Sequence, residues 1–124
     1  MPSCMQCRRA ALALPFVALG VLVSLGAQQS PRIIEVTAKR YDFVPSTIEV
    51  QQGERVILRV TSADRTHGIG IEKFGVDKEV PRGGTIDVEF VASEAGTFEV
   101  ICTEDCGKGH DDMIGALVVK AVAR

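Results

Sequence analysis

The sequence of 124 residues contains no tryptophan, one tyrosine, two histidines and only three methionines. It has no arginine-rich stretch or basic patch and a formal net charge of −2, so nothing indicates a nucleic-acid partner. No internal repeat is present, and no long helical pattern follows the N-terminal segment. The length leaves room for one domain. No combination of serine, histidine, acidic residue and cysteine forms a convincing nucleophile, which argues against an enzyme acting by itself.

The N-terminal segment has the form of an export signal. Arg8 and Arg9 precede an apolar run at residues 10–27 that ends in small residues suited to peptidase cleavage. A run of about eighteen residues is also at the lower limit for crossing a bilayer, so a single membrane anchor is an alternative. In both cases the arginines stay cytoplasmic and the rest of the chain is exported. We therefore predict a signal peptide or anchor at residues 1–29 and one domain at residues 30–124, in the periplasm or on the outer face of the cytoplasmic membrane.

The exported part alternates apolar and polar residues in short runs, as half-buried strands do. Turn-forming residues separate the predicted strands, which cover residues 33–39, 47–50, 55–61, 67–71, 85–91, 97–102 and 114–122. The pattern predicts an all-β protein, an antiparallel β-sandwich of about seven to eight strands. Phe43, Phe90 and Phe98 are predicted to fill its core.

Four cysteines occur as two pairs, one on each side of the apolar run. Cys4 and Cys7 precede it, and we assign them no role. Cys102 and Cys106 belong to a C-terminal stretch that also contains His110 and Met113. Thiolate and thioether sulfurs are soft ligands that favour Cu(I), and imidazole suits either copper oxidation state. Calcium and magnesium sites use carboxylates and carbonyls instead, so copper is the metal that this set favours.

Other interpretations of these residues stay open at this point. Two cysteines four positions apart in an exported protein are also suited to a disulfide, which would make the chain a structural domain without metal. A structural zinc site is a further alternative, although a methionine is a poor zinc ligand. A single methionine often fills a core instead of binding metal. Copper is favoured because all four side chains occur together and His67 is the only other histidine.

The motif C-x-E-x-C-G-x-x-H-x-x-M resembles the dinuclear copper (CuA) loop of cytochrome c oxidase subunit II. The upstream run T-H-G-I-G-I resembles the segment that carries the first histidine of that site. The resemblance extends over about residues 33–119 and implies a cupredoxin-like Greek-key sandwich. It also implies a set of six metal ligands: His67, Cys102, Glu104, Cys106, His110 and Met113.

Each ligand has a role that the resemblance implies. The two cysteines would bridge two copper ions, and each histidine would bind one of them. Met113 would be a weak ligand, and Glu104 would bind through its backbone carbonyl. We expect Gly107 and Gly109 to give the loop the unusual backbone angles that bring these ligands together.

The implied function is one-electron transfer between redox partners, such as a c-type cytochrome and an oxidase subunit. Four carboxylates lie in or beside the loop and would form a docking face for a basic partner, or simply a solvated acidic loop: Glu104, Asp105, Asp111 and Asp112. The family usually has an aromatic patch with tryptophan near the copper, whereas this chain has only Tyr41. An oxidase subunit and a free-standing periplasmic carrier are therefore both retained.

Related copper proteins provide the remaining alternatives. Nitrous oxide reductase has a similar loop but usually an aromatic residue at the position of Glu104, so the glutamate favours the oxidase branch. Mononuclear blue-copper proteins have one cysteine in the loop, and Cys106 separates them from a two-copper centre. A periplasmic copper chaperone or store would show methionine-rich or histidine-rich tracts, but two of the three methionines lie in the N-terminal segment.

Overall fold

The computed structural model describes residues 12–18, 20–21 and 30–122. Residues 12–18 and 20–21 have no regular secondary structure, and the fold lies in residues 30–122. Much of the predicted export segment, including Cys4 and Cys7, lies outside the described residues. In the described part, no helix is both long and apolar enough to cross a bilayer.

Residues 30–122 contain nine strands and two short 3-10 helices. The strands are β1 (Arg32–Lys39), β2 (Asp42–Val44), β3 (Thr47–Gln51), β4 (Arg55–Ser62), β5 (His67–Ile71), β6 (Val76–Val80), β7 (Thr85–Val91), β8 (Gly96–Ile101) and β9 (Ile114–Lys120). The 3-10 helices are Glu72–Phe74 and His110–Asp112. One sheet has the strand order β2-β1-β4-β7 and the other β3-β9-β8-β5-β6. The predicted all-β sandwich is confirmed.

The structure has more strands than the predicted seven to eight. β2 has only three residues and pairs with the end of β1, so it is too short to show an alternating pattern. β6 lies at the edge of its sheet, and only its first and last residues, Val76 and Val80, are buried. Its central residues are polar on both faces, because an edge strand is only partly covered by its neighbours.

The predicted antiparallel arrangement is wrong for two strand pairs, which are parallel. β1 pairs in parallel with β4, and β3 pairs in parallel with β9. These partners are not consecutive in the chain. Between β1 and β4 the chain crosses to the second sheet to form β3, so no tight hairpin forces the two strands to run in opposite directions.

The core forms between the two sheets from alternating side chains. In β4, Val56, Leu58 and Val60 are completely buried. Burying side chains of this size contributes roughly 1.5–3 kcal/mol each. Phe43 and Phe90 are buried as predicted. Phe98 is only partly buried, at the margin of the core.

One end of the second sheet supports the loop of residues 102–113. Ile101, the last residue of β8, lies opposite Ile114, the first residue of β9. The base of the loop is closed where the N–H of Cys102 donates to the carbonyl of Met113 at 3.3 Å. β5 pairs with β8 and begins at His67, which is therefore positioned beside the loop.

Candidate metal centre

The two loop cysteines face each other inside the protein. Cys102 and Cys106 are both buried free thiols, and their Sγ atoms are 3.5 Å apart. A disulfide bond requires about 2.05 Å. Burial, together with the hydrogen bond to Cys102, raises the pKa of the Cys106 thiol to about 11, although the charge of Arg65 opposes the rise. Because thiolates are the metal-binding form, metal binding to this pair would be accompanied by proton release.

Each cysteine has one histidine beside it. Nδ1 of His67 lies 4.0 Å from Sγ of Cys102, and Nδ1 of His110 lies 3.7 Å from Sγ of Cys106. His67 is completely buried, whereas His110 is half-buried at the surface. Donor atoms of His67 and both cysteines lie within 4.8 Å of one another. The arrangement is two adjacent thiol–imidazole pairs joined through their sulfurs.

The remaining two predicted ligands lie one beside each cysteine. The backbone carbonyl oxygen of Glu104 is 3.1 Å from Sγ of Cys102, although Glu104 as a whole is an exposed residue. Sδ of Met113 is 3.8 Å from Sγ of Cys106 and is completely buried. The structure therefore brings all six predicted residues together.

Asp64 fixes the orientation of His67. Its carboxylate lies 2.6 Å from Nε2 of His67 and accepts backbone N–H groups of Arg40 and Arg65, each at 2.8 Å. Partial burial alone would raise the pKa of Asp64, but these three hydrogen bonds lower it to about 2. An ionised carboxylate only accepts hydrogen bonds, so Nε2 carries a proton, and Nδ1 is the ring nitrogen that faces Cys102.

Glycines let the loop approach its surroundings closely. A Cβ on Gly68 would lie 2.7 Å from the Glu104 nitrogen and would collide with Thr103. Gly107 has a φ of +126°, which confirms the expected unusual backbone angle at that position. For Gly109 the expectation is wrong, since its φ is −94°. Glycine is needed there because a Cβ would lie 2.8 Å from Cε2 of Tyr41.

The outer side of the loop is acidic, with an apolar pair beside it. The four predicted carboxylate residues and Lys108 are all exposed. Ile101 and Ile114 are exposed next to each other and border a shallow depression that also contains His110.

The donor set fits copper. It comprises two thiols, two imidazoles, a thioether and one carbonyl, mostly buried and close together. A majority of soft sulfur and imidazole donors suits copper and does not suit calcium or magnesium. Structural zinc sites use four cysteine or histidine ligands without a thioether.

A two-sheet sandwich with a cysteine, histidine and methionine loop at one end defines a cupredoxin architecture. The chain belongs to the cupredoxin-like domain family, whose sequence pattern matches residues 11–119. Among curated proteins it is similar to cytochrome c oxidase subunit 2 of Thermus thermophilus, with 34% identity over 87 residues, 70% of this chain. It is also similar to nitrous-oxide reductase of Cupriavidus necator, with 30% identity over 92 residues, 71% of this chain.

A solved structure has the same fold. The periplasmic domain of subunit II of cytochrome oxidase from Bradyrhizobium japonicum matches with a TM-score of 0.68 at 22% identity, covering 75% of this chain and 86% of that domain. This match shows the shared fold. The matched region covers 64% of the length of the Thermus protein and 14% of the reductase. The predicted resemblance to the copper domain of oxidase subunit II is confirmed.

Proposed function

We propose that this chain is an exported electron-transfer protein with a CuA-type centre of two copper ions, which accepts and passes single electrons. Copper at this site supplies reversible one-electron exchange. Six residues would hold it: His67, Cys102, Glu104 through its carbonyl, Cys106, His110 and Met113.

One observation carries the two-copper proposal. The sulfurs of Cys102 and Cys106 are 3.5 Å apart, and each has its own imidazole within 4.0 Å. A one-copper centre needs only one thiolate with two imidazoles, which would leave a second buried thiol without a role. Two thiol–imidazole pairs that lie side by side would provide ligands for two metal ions, with one histidine for each ion and both cysteines between them.

The fold supports electron transfer because it restricts movement of the proposed ligand side chains. Both ends of the 102–113 loop are joined to paired strands, β8 and β9. His67 is fixed at the start of β5 by its bond to Asp64. Ligand side chains that are held by packing and by hydrogen bonds to neighbouring residues keep their geometry when the charge of the centre changes. Little reorganisation would then accompany each electron.

We also propose that residues 1–29 direct export, as a cleaved signal or as an anchor through residues 10–27. Arg8 and Arg9 ahead of the apolar run support this role. The centre would then work in the periplasm or at the outer face of the cytoplasmic membrane. Its redox partner would be a c-type cytochrome or an oxidase subunit, and the acidic surface of the loop favours a basic partner.

Electron exchange tests this function directly. The copper-loaded full chain, mixed with a reduced basic c-type cytochrome, is expected to oxidise one cytochrome per chain. The rate should fall as salt is added, because salt screens the attraction between the acidic loop and the basic partner. Stopped-flow absorbance of the cytochrome measures both the number of electrons and the rate.

Two matched charge changes locate the docking face. Asp111→Asn removes a carboxylate beside His110 and is expected to slow the reaction at low salt. Glu94→Gln removes a carboxylate that pairs with Lys73 near the other end of the sheet, and it should leave the rate unchanged. If the copper-loaded chain oxidises no cytochrome, the electron-carrier proposal is wrong. If both variants behave like wild type, only the docking face is wrong.

A further inference from the structure

One arginine contacts the 102–113 loop from outside the proposed ligand set. Nη1 of Arg65 donates a hydrogen bond of 2.7 Å to the backbone carbonyl of Cys106, 41 residues away in the sequence. The side chain is half-buried. A charged donor on a carbonyl makes a stronger hydrogen bond than a neutral one. The position of Cys106 is therefore tied to a second segment of the chain.

Arg65 is itself held firmly in the turn between β4 and β5. Its backbone N–H donates to Asp64, and its carbonyl accepts the hydroxyl of the buried Ser62. Asp64 also binds His67. Arg65 thus links the segment that positions His67 to the loop that carries Cys106, so hydrogen bonds within the protein connect the two halves of the site.

The guanidinium also covers the residue that follows Cys106. A Cβ on Gly107 would lie 3.0 Å from Nη1 of Arg65 and 2.6 Å from Oη of Tyr41. These two side chains close over the loop where its backbone has positive φ. A fixed positive charge therefore lies beside the bridging end of the proposed centre, in a place only partly open to solvent.

We propose that Arg65 is a positioning residue that keeps the backbone of Cys106 in the position needed to bind copper. We also propose that its charge raises the reduction potential of the copper-loaded centre. The second part rests on the proposed function. A nearby cation favours the state that carries the additional electron, and its effect is screened less by solvent when it is partly buried. Hydrogen bonds and charges around the residues that bind a metal influence its reduction potential.

Three substitutions of Arg65 distinguish the effect of its hydrogen bond from the effect of its charge. Arg65→Met removes both while keeping an unbranched side chain. Arg65→Gln removes the charge and keeps a shorter N–H donor. Arg65→Lys keeps the charge but loses the planar guanidinium group and its fixed N–H directions. Arg55→Gln, at the far end of β4, removes one charge about 20 Å away along the strand and is the matched control.

The positioning role is tested on the metal-free full chain by amide hydrogen exchange. In Arg65→Met, amides of residues 103–112 are expected to exchange about tenfold faster or more, the effect of losing a charged hydrogen bond. Amides of β4 and β9 should stay protected, which shows that the variant is folded. Equal loop exchange in wild type and Arg65→Met overturns the positioning role.

The electrostatic role is tested by the midpoint potential of the copper-loaded protein. Arg65→Met and Arg65→Gln should lower the equilibrium constant for reduction about threefold to tenfold, or about 30–60 mV at 59 mV per tenfold. Arg65→Lys and Arg55→Gln should stay close to wild type. Unchanged potentials in Arg65→Met and Arg65→Gln overturn this role. A wild-type chain that binds no copper overturns the proposed function instead, and the exchange experiment still decides the positioning role.

Discussion

Cys106→Ser is expected to reduce the copper content from two ions per chain to one or none. The sulfur of Cys106 contacts Cys102, His110 and Met113, so its removal takes away the atom that joins the second half of the site to the first. A serine hydroxyl is a harder ligand and does not replace a soft bridging thiolate. Copper analysis and electron paramagnetic resonance of the loaded variant measure the loss.

Cys7→Ser provides the matched control for this change. It makes the same substitution in the other cysteine pair, to which we assign no role, and should leave the copper content at two. Two coppers and an unchanged spectrum in Cys106→Ser would contradict the bridging role of Cys106. A single copper with an intense blue absorption band would show that the loop retains a mononuclear site once the second thiol is removed.

His67→Ala is expected to weaken copper binding by about 100-fold or more and to change the spectrum. His67 lies 35 residues before Cys102 and is the only proposed ligand outside the 102–113 loop. Its removal leaves a buried gap beside Cys102 and takes away a hydrogen-bond partner of Asp64. The rest of the set cannot fill the position, because the loop is tied to β8 and β9.

Asp64→Asn is expected to lower the copper affinity less than His67→Ala does. It keeps the shape of the side chain but changes the hydrogen bond that orients the imidazole. Changing a hydrogen-bond partner of a metal ligand typically lowers metal affinity about 10–100-fold. Titration of both variants with a competing copper chelator gives the affinities. A His67→Ala protein with the wild-type affinity and spectrum would remove His67 from the ligand set.

Local sequence patterns predicted most of the fold. Alternation in β4 and β7 places Val56, Leu58 and Phe90 towards the core, and this information is contained within each strand. The parallel pairing of β1 with β4 was not predictable in the same way. The direction of a strand relative to a distant partner depends on where the chain crosses between the sheets, and no local pattern records that crossing.

In the candidate site too, residues that are close together in the sequence were predictable, whereas contacts between distant segments were not. The spacing of Cys102, Cys106, His110 and Met113 identifies the loop because all four lie within one short segment. Asp64 precedes His67 by three positions, and that spacing was a usable signal for its orienting role. Arg65 and Tyr41 contact the loop from separate segments, so only the folded structure reveals their contacts.

The alternating glycines of β5 were a further signal that the sequence interpretation missed. Gly68 and Gly70 occupy every second position of a strand, which is typical of a strand closely approached by another part of the chain. In the structure Thr103 lies against both of them. The pattern therefore marked the side of β5 on which the 102–113 loop packs.

We propose that one chain holds two copper ions that share one unpaired electron. The most direct measurement is the copper content of the loaded full chain, together with its absorption and electron paramagnetic resonance spectra. We expect two coppers per chain, a purple colour and a mixed-valence signal in which one unpaired electron is spread over both nuclei. One copper per chain with an intense blue band, or a protein that binds no copper, would contradict the claim.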